Sequence, residues 1–328
     1  EVVAVCDRDV DRLELIQRRF PAVHGHTRID DVLADETIDA VAIATPVSTH
    51  FPLARAALEA DKHVFIEKPL AASTSECLEL IQLAESRGLV LMPGHTFLYS
   101  PPVVAVRNLI ESGELGELYF VSTSRVNLGL HQKDVSVTWD LAPHDFSILR
   151  YWLDEAPTGV RAVTRGCIIP SIPDVAFIDL EFSSGTLAHV ELSWLAPSKL
   201  RRTTIVGSRK MVVYDDTSGE PIRVFDSGVV LKDPETFGEY RLTYRTGDIV
   251  SPRIDAAEPL SAELQDLCDA VLFGTTPRSS AEVGLQVVQM IEAADRSHAS
   301  GGANVAVDAL DPLSLVQGHA FSLEAGAG

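Results

Sequence analysis

The sequence predicts a two-part α/β protein. A doubly wound parallel sheet comes first, followed by an α+β region with a large, mainly antiparallel sheet. Three observations carry this. Short apolar runs alternate with helical patterns of ten or so residues through the first third of the chain. The alternation stops near Gly116, and β-type runs then follow one another from Val160 to about Tyr214 without helices between them. Finally, 328 residues are more than one core usually holds, since cores rarely grow past roughly 250–300.

Taken in order, Val2 to Cys6 reads as a buried strand and Val10 to Arg19 as a helix stopped by Pro21. Asp39 to Ala44 is a second strand ended by Thr45-Pro46, and Phe51 to Ala60 is helical. His63 to Glu67 is the next strand, closed by Lys68-Pro69. Ser73 followed by Glu76 forms a capping box for a helix to about Arg87, before a strand over Leu89 to Met92. After Gly116, Leu118 to Val126 is strand-like, and Pro143 to Leu153 reads as a helix with Pro143 in its first turn. Phe177 to Phe182 and Thr186 to Trp194, joined by Ser183-Ser184-Gly185, read as a hairpin. Two late helices, Leu260 to Phe273 and Ala281 to about Ala299, complete the pattern. The expected division is 1–116, 117–310 and a loose tail over 311–328.

Composition narrows the function classes. Lys and Arg total 27 against 47 Asp and Glu, a formal net charge of −20. That field disfavours nucleic acid and anionic membrane surfaces as partners and leaves a small-molecule ligand as the expectation. Cys6, Cys77, Cys167 and Cys268 are scattered, with no Cys-x-x-Cys and no metal-ligand spacing. They read as reduced thiols of a cytoplasmic protein that holds no metal. No run approaches the roughly 18 apolar residues of a membrane span.

The residues able to do chemistry cluster where strands end, and in a parallel sheet the carboxyl ends of the strands form the ligand crevice. Glu67 and Lys68 stand at such an end, readable either as a strand-capping ion pair or as a lysine delivered to a substrate. Asp7 closes the first strand, where an acidic residue of a dinucleotide-binding unit bonds the ribose hydroxyls; it equally suits a helix N-cap. Arg8 beside it would suit a 2′-phosphate. Thr45-Pro46 is a tight turn that lets backbone approach a cofactor, and His50 starts the helix after it. Asp140 and His144 lie four apart around a helix start, where both can share one face. The imidazole can pass a hydroxyl proton and the carboxylate can orient it, although capping and packing explain them as well. Arg125 and Asn127, on the first strand after Gly116, are candidate substrate contacts. The Gly-x-Gly-x-x-Gly loop expected about 20 residues before Asp7 is absent. Because Glu1 stands directly in a strand pattern, the chain reads as cut at its N-terminus, with the first strand and phosphate loop upstream. Residues 1–328 alone are expected to hold dinucleotide weakly or not at all.

The order Asp7, Ala44-Thr45-Pro46-x-x-x-His50, Glu67-Lys68-Pro69, Gly94-His95-Thr96-Phe97-x-Tyr99 and Trp139-Asp140-x-x-x-His144-Asp145 resembles the glucose–fructose oxidoreductase/inositol dehydrogenase/MocA (Gfo/Idh/MocA) family. The resemblance runs from Glu1 to roughly Val307. It implies a Rossmann domain, an α/β domain whose open sheet builds a homo-oligomer, and NAD(P)-dependent oxidation or reduction of a secondary alcohol on a sugar or sugar nucleotide. NAD is the implied cofactor, with NADP the alternative. By position, Lys68 orients the reacting hydroxyl, His144 transfers its proton, and Asp140 assists. Asp7, Arg8, Thr45, Pro46, His50 and Glu67 line the cofactor. Thr96 to Tyr99 replaces the Asn-Arg-Arg-Phe pattern of inositol dehydrogenases, which shifts the expectation from inositols toward sugar nucleotides. NAD-dependent glycoside cleavage and a non-catalytic cofactor-binding regulator are the alternative functions.

Overall fold

The computed structural model describes residues 1–129, 131–132, 135–231 and 242–307. It divides into two compact units: Glu1–Gly94 with Asp266–Glu282, and His95–Gln265 with the remainder from Val283. The expected loose tail over 311–328 lies outside the described residues.

In the first unit, β1 (Ala4–Cys6) leads into α1 (Val10–Arg19), whose N-terminus is capped by the Asp9 side chain accepting from Asp11 N and Arg12 N. Two short elements not read from sequence follow, β2 (His24–His26) and α2 (Ile29–Leu33). Three and five residues are too short to show a period. Next come β3 (Ala40–Ile43), α3 (His50–Glu59), β4 (His63–Glu67), α4 (Thr74–Arg87) and β5 (Leu91–Gly94). All pairings are parallel, as expected, and they form two sheets, β1-β2 and β3-β4-β5.

The strand β4 is central to its sheet, and Val64, Phe65 and Ile66 are buried, which is why its sequence is apolar without alternation. The capping box of α4 forms with one change of partner. Ser73 Oγ accepts from Glu76 N at 3.2 Å, whereas the Glu76 carboxylate accepts from Ala72 N at 3.0 Å. The strand β5 lies two residues later than expected and contains Pro93. On an edge strand the missing N–H of a proline need not cost a ladder bond.

The second unit contains α5 (Pro101–Glu111), β6 (Leu118–Leu128), α6 (Val137–Leu153), β7 (Pro157–Arg165), β8 (Val175–Phe182) and β9 (Leu187–Ser193). It continues through β10 (Leu195–Gly207), β11 (Met211–Asp215), β12 (Ile222–Leu231) and β13 (Leu242–Val250). The chain then runs through α7 (Pro259–Phe273), α8 (Ala281–Ala299) and β14 (Val305–Ala306), with the division between units falling inside α7. Nine strands form one mixed sheet in the order β13-β12-β11-β10-β6-β9-β8-β7-β14, in which only β6-β9 is parallel. The β8-β9 hairpin turns at Gly185, whose φ of +87° explains the glycine.

The helix α5 was not anticipated, and it packs in the second unit: Val103 and Val106 are fully buried and Trp152 Nε1 donates to Val103 O at 2.9 Å. The core beneath the sheet also includes Phe146, Leu149, Ile178, Leu180, Val190 and Met290. Among the described residues no helix is long and apolar enough to cross a membrane.

Candidate active site

Each unit contributes a set of polar residues. In the first, they sit where strands end. Asp7 follows β1 and is partly exposed; its Oδ1 accepts from Asp9 N at 2.9 Å, and Arg12 lies 3.7 Å from Oδ2. The N-cap of α1 is Asp9, so Asp7 is not consumed as a cap. Arg8 and the Thr45-Pro46 turn are exposed. The turn is stiffened by Thr49, whose hydroxyl lies 2.7 Å from both Thr45 Oγ1 and Pro46 O. Glu67 ends β4, and its carboxylate accepts from Lys68 N at 3.3 Å. Lys68-Pro69 is a cis peptide, and Lys68 is partly exposed at the carboxyl end of the central strand.

His50 departs from its expected place. It begins α3 as anticipated, but its side chain is fully buried, with Nδ1 2.8 Å from Pro69 O and Nε2 2.8 Å from Thr45 O. Both ring nitrogens are therefore taken up by backbone. Rather than presenting a polar atom to a cofactor, His50 staples the Thr45-Pro46 turn to the peptide that follows Lys68. Around it, Asp7, Glu67 and Lys68 stay partly exposed and Thr45-Pro46 exposed. An acidic group at a strand end, an exposed tight turn and the Glu67-Lys68 pair fit the ribose and nicotinamide ends of such a cofactor.

In the second unit, α6 begins earlier than expected. Ser136 is the N-cap, its hydroxyl accepting from Trp139 N at 3.5 Å, so Pro143 lies inside the helix. The sequence reading took Pro143 for a first-turn proline because that position tolerates a missing N–H. Inside the helix the loss falls on the carbonyl four residues back, that of Trp139. The consequence is that Asp140 and His144 are neither caps nor flanks. They stand one turn apart on formed helix.

Their surroundings come from distant parts of the chain. Asp140 Oδ2 accepts from Trp194 Nε1 at 3.1 Å. The His144 ring meets Phe97 edge-on, with centroids 5.0 Å apart and planes at 71°. Phe97 in turn lies under Arg125, whose guanidinium carbon is 4.7 Å from the ring centroid. Arg125 itself is buried: Nε donates to Asp145 Oδ2 at 2.7 Å and Nη2 to Asp145 Oδ1 at 3.2 Å. Burial works against this charge, but the Asp145 carboxylate outweighs it and holds the guanidinium above its ordinary pKa. Thr123 Oγ1 donates to Asp145 at 3.0 Å, and burial pushes the nearby Tyr214 phenol far up. The expectation that Arg125 meets a substrate is thus replaced by an internal ion pair. Alternation put Arg125 on one face of β6, and the structure shows that face turned toward α6. Asn127, two residues on, is partly exposed. Opposite it, β10 makes a wide bulge, because its pairing with β6 jumps from Leu195↔Leu128 to Leu200↔Val126.

Sequence reasoning missed Trp194, Phe97 and Asp145 as site-forming residues. Asp145 carried a signal, since it directly follows His144; Trp194 carried none, being only the end of a hairpin. Among the described residues no group of three His, Cys, Asp or Glu side chains is placed to hold a metal ion.

Residues 1–95 match the family model described as "Oxidoreductase family, NAD-binding Rossmann fold", and residues 103–213 match the "GFO/IDH/MocA C-terminal domain". The chain is similar to UDP-N-acetylglucosamine 3-dehydrogenase of Acidithiobacillus ferrooxidans, 31% identical over 62% of this chain and 63% of that protein. It is also similar to D-xylose 1-dehydrogenase (NADP(+)) 2 of Haloferax volcanii, 28% identical over 92% and 91%. Among solved structures, GenD2 from gentamicin A biosynthesis in complex with NAD superposes with a TM-score of 0.79 at 26% identity, covering 94% of this chain and 89% of that one. Several of the curated relatives are matched over less than two thirds of their own length. With both domain models matched in order along more than half of its residues, the chain belongs to the Gfo/Idh/MocA oxidoreductase family.

Proposed function

We propose that this protein is an NAD(P)-dependent dehydrogenase interconverting a secondary alcohol and a ketone on a sugar or sugar nucleotide. One observation carries the reading. Lys68 stands partly exposed at the carboxyl end of a central parallel strand, while Asp140 and His144 share one turn of α6. These residues occur in the order and context of the family motifs. A cofactor-binding regulator has no use for all three.

The nicotinamide, when bound, accepts or returns the carbinol hydride. The protein's own residues do the rest. His144 takes the hydroxyl proton as the hydride leaves and gives it back in the reverse direction, a contribution of about 10²–10⁴-fold for a placed general base. The Lys68 ammonium holds the oxygen as negative charge develops on it. Glu67 binds the Lys68 backbone N–H and so orients the start of the segment that carries the lysine. Asp140 orients His144. Asp7 receives the ribose hydroxyls and repels a 2′-phosphate, which favours NAD; exposed Arg8 is the residue that would admit NADP.

The test is a turnover screen of the full-length protein over UDP-sugars, free sugars and inositols with NAD and NADP. NADH accumulation with a sugar or sugar nucleotide is expected. Lys68→Met and His144→Ala should each lower kcat by about 10²–10⁴-fold while NAD affinity stays close to wild type. Wild-type rates in both variants would sink the assignment. Glycosidic product without net NADH would replace the dehydrogenase with transient oxidation and elimination.

The family resemblance also supports a homo-oligomer built on the open sheet. Its outer face exposes Phe120 beside Leu187 and Val163 beside Phe177, apolar groups set among Asp179, His189 and Glu191. Sedimentation should find a dimer or tetramer, and Phe177→Glu should shift it toward monomer.

A further inference from the structure

Trp194 occupies a position that the topology of the sheet makes unusual. The strands β9 and β10 flank β6 on opposite sides, yet a single residue separates Ser193 at the end of one from Leu195 at the start of the other. The chain therefore crosses the end of β6 at Trp194. That crossing is held from both directions: Gly129 N donates to Trp194 O at 3.0 Å, and Trp194 N donates to Asp174 O at 3.0 Å. The backbone of Gly129 passes close to the ring, and a Cβ there would stand 3.0 Å from Trp194 Cδ1.

The indole ring is equally fixed. It is 1% exposed, and His131 meets it edge-on with centroids 5.4 Å apart. His131 Nε2 stands 3.5 Å from Asp174 Oδ2. Asp174 is fully buried and accepts from Cys167 N and Ile168 N at 2.9 Å each, which pins the loop before β8 to the same point. From this anchored ring the indole N–H reaches one atom, Asp140 Oδ2.

We propose that Trp194 is a positioning residue for the reaction: its indole N–H sets the rotamer of Asp140, which in turn sets His144 one turn further along α6. The proposal rests on the dehydrogenase reading. The terminal torsion of an aspartate is broad, so helix position alone does not fix where its oxygens point. A donor on a rigid ring with both backbone ends tied does fix it, as preorganised sites require.

Trp194→Phe keeps most of the ring and deletes the donor. In the purified protein, kcat for the substrate found by the screen should fall about tenfold, with KM for NAD and the thermal midpoint near wild type. In an Asp140→Ala background, which removes the acceptor, the same substitution should cost little more, because the link is already cut. Full turnover in Trp194→Phe, or an equal loss in both backgrounds, overturns the proposal. Should Trp194→Phe fail to fold, the Trp194 indole N–H resonance decides: Asp140→Ala, which removes its acceptor, must move it, and an unmoved resonance overturns the proposal. A wild type without turnover on any hydroxyl substrate removes the dehydrogenase reading and this proposal together. An active wild type with an equally active Trp194→Phe removes this proposal alone.

Discussion

The two units build their polar residues in opposite ways. In the first, the partners are backbone groups: Asp7 with Asp9 N, Glu67 with Lys68 N, and His50 with the carbonyls of Thr45 and Pro69. In the second, the partners are side chains far apart in sequence: Asp145 with Arg125, Asp140 with Trp194, and His144 with Phe97. Strand ends and turns offer unpaired backbone, so a side chain placed there finds a partner locally. A charge buried as Arg125 is finds its partners among other side chains. It must be satisfied by them or leave a buried charge exposed to no solvent.

That difference is open to attack by substitution. The largest effect is expected from Asp145→Asn, which leaves the buried Arg125 guanidinium without its counter-charge. Loss of one partner of a buried pair costs about 3–5 kcal/mol, readable as a fall in the urea midpoint. A change below about 1 kcal/mol would mean that the second unit tolerates isolated charge and that the contrast is false. Next is His50→Leu, which leaves the buried Pro69 carbonyl and the part-buried Thr45 carbonyl without the imidazole. About 2–3 kcal/mol is expected in the same measurement. Loss of Lys68-dependent turnover should accompany it, since the Lys68-Pro69 segment loses its tie to the Thr45 turn. Unchanged turnover would confine the staple to stability.

Asp174 gives a pH-dependent test. Burial raises its pKa, but the N–H groups of Cys167 and Ile168 and the Cys167 thiol outweigh that and hold it below the ordinary carboxylate value. With the folded pKa lowered, its stabilisation is fully present above the unfolded carboxylate value, near 4, and is lost as pH falls through the folded value. The stability of wild type should therefore decline across that acid window more than that of Asp174→Asn. Parallel curves would show that the carboxylate is not what pins the loop. The smallest effect belongs to Ser73→Ala, which removes the α4 cap in the first unit, at about 1 kcal/mol.

The same contrast explains what was legible in the sequence. The first unit was readable because its signals are contiguous: His63 to Glu67 is found as β4 without a shift, and α1 matches Val10 to Arg19. Lys68, Thr45 and Asp7 inherit their placement from strand ends that apolar runs mark clearly. The second unit was readable as a class of sheet and as the pair Asp140 and His144, but not as an environment. Nothing local distinguishes Trp194 from any other aromatic that ends a strand. Arg125 alternates like a surface residue, and only the packing of α6 turns it inward. Pro143 misled in a specific way, because a proline is more at home in a first turn than within a helix that Ser136 has already started. His50 shows the reverse, a position read correctly with a side chain that turned the other way.

The one parallel pairing in the large sheet has a consequence for assembly in time. Antiparallel neighbours can close as hairpins, but β6 and β9 can pair only after the chain between them has been laid down. That intervening chain contains α6, the helix of Asp140 and His144, together with β7 and β8. The middle of the sheet and α6 must therefore form in one cooperative event, at the high sequence separation that slows folding. In native-state hydrogen exchange, amides of Val121, Val190 and the α6 interior should open together as a single unit. A helix that opened well before the strands would mean that this crossover is a loose strap, and that the His144 imidazole is carried on the least cooperative part of its own unit.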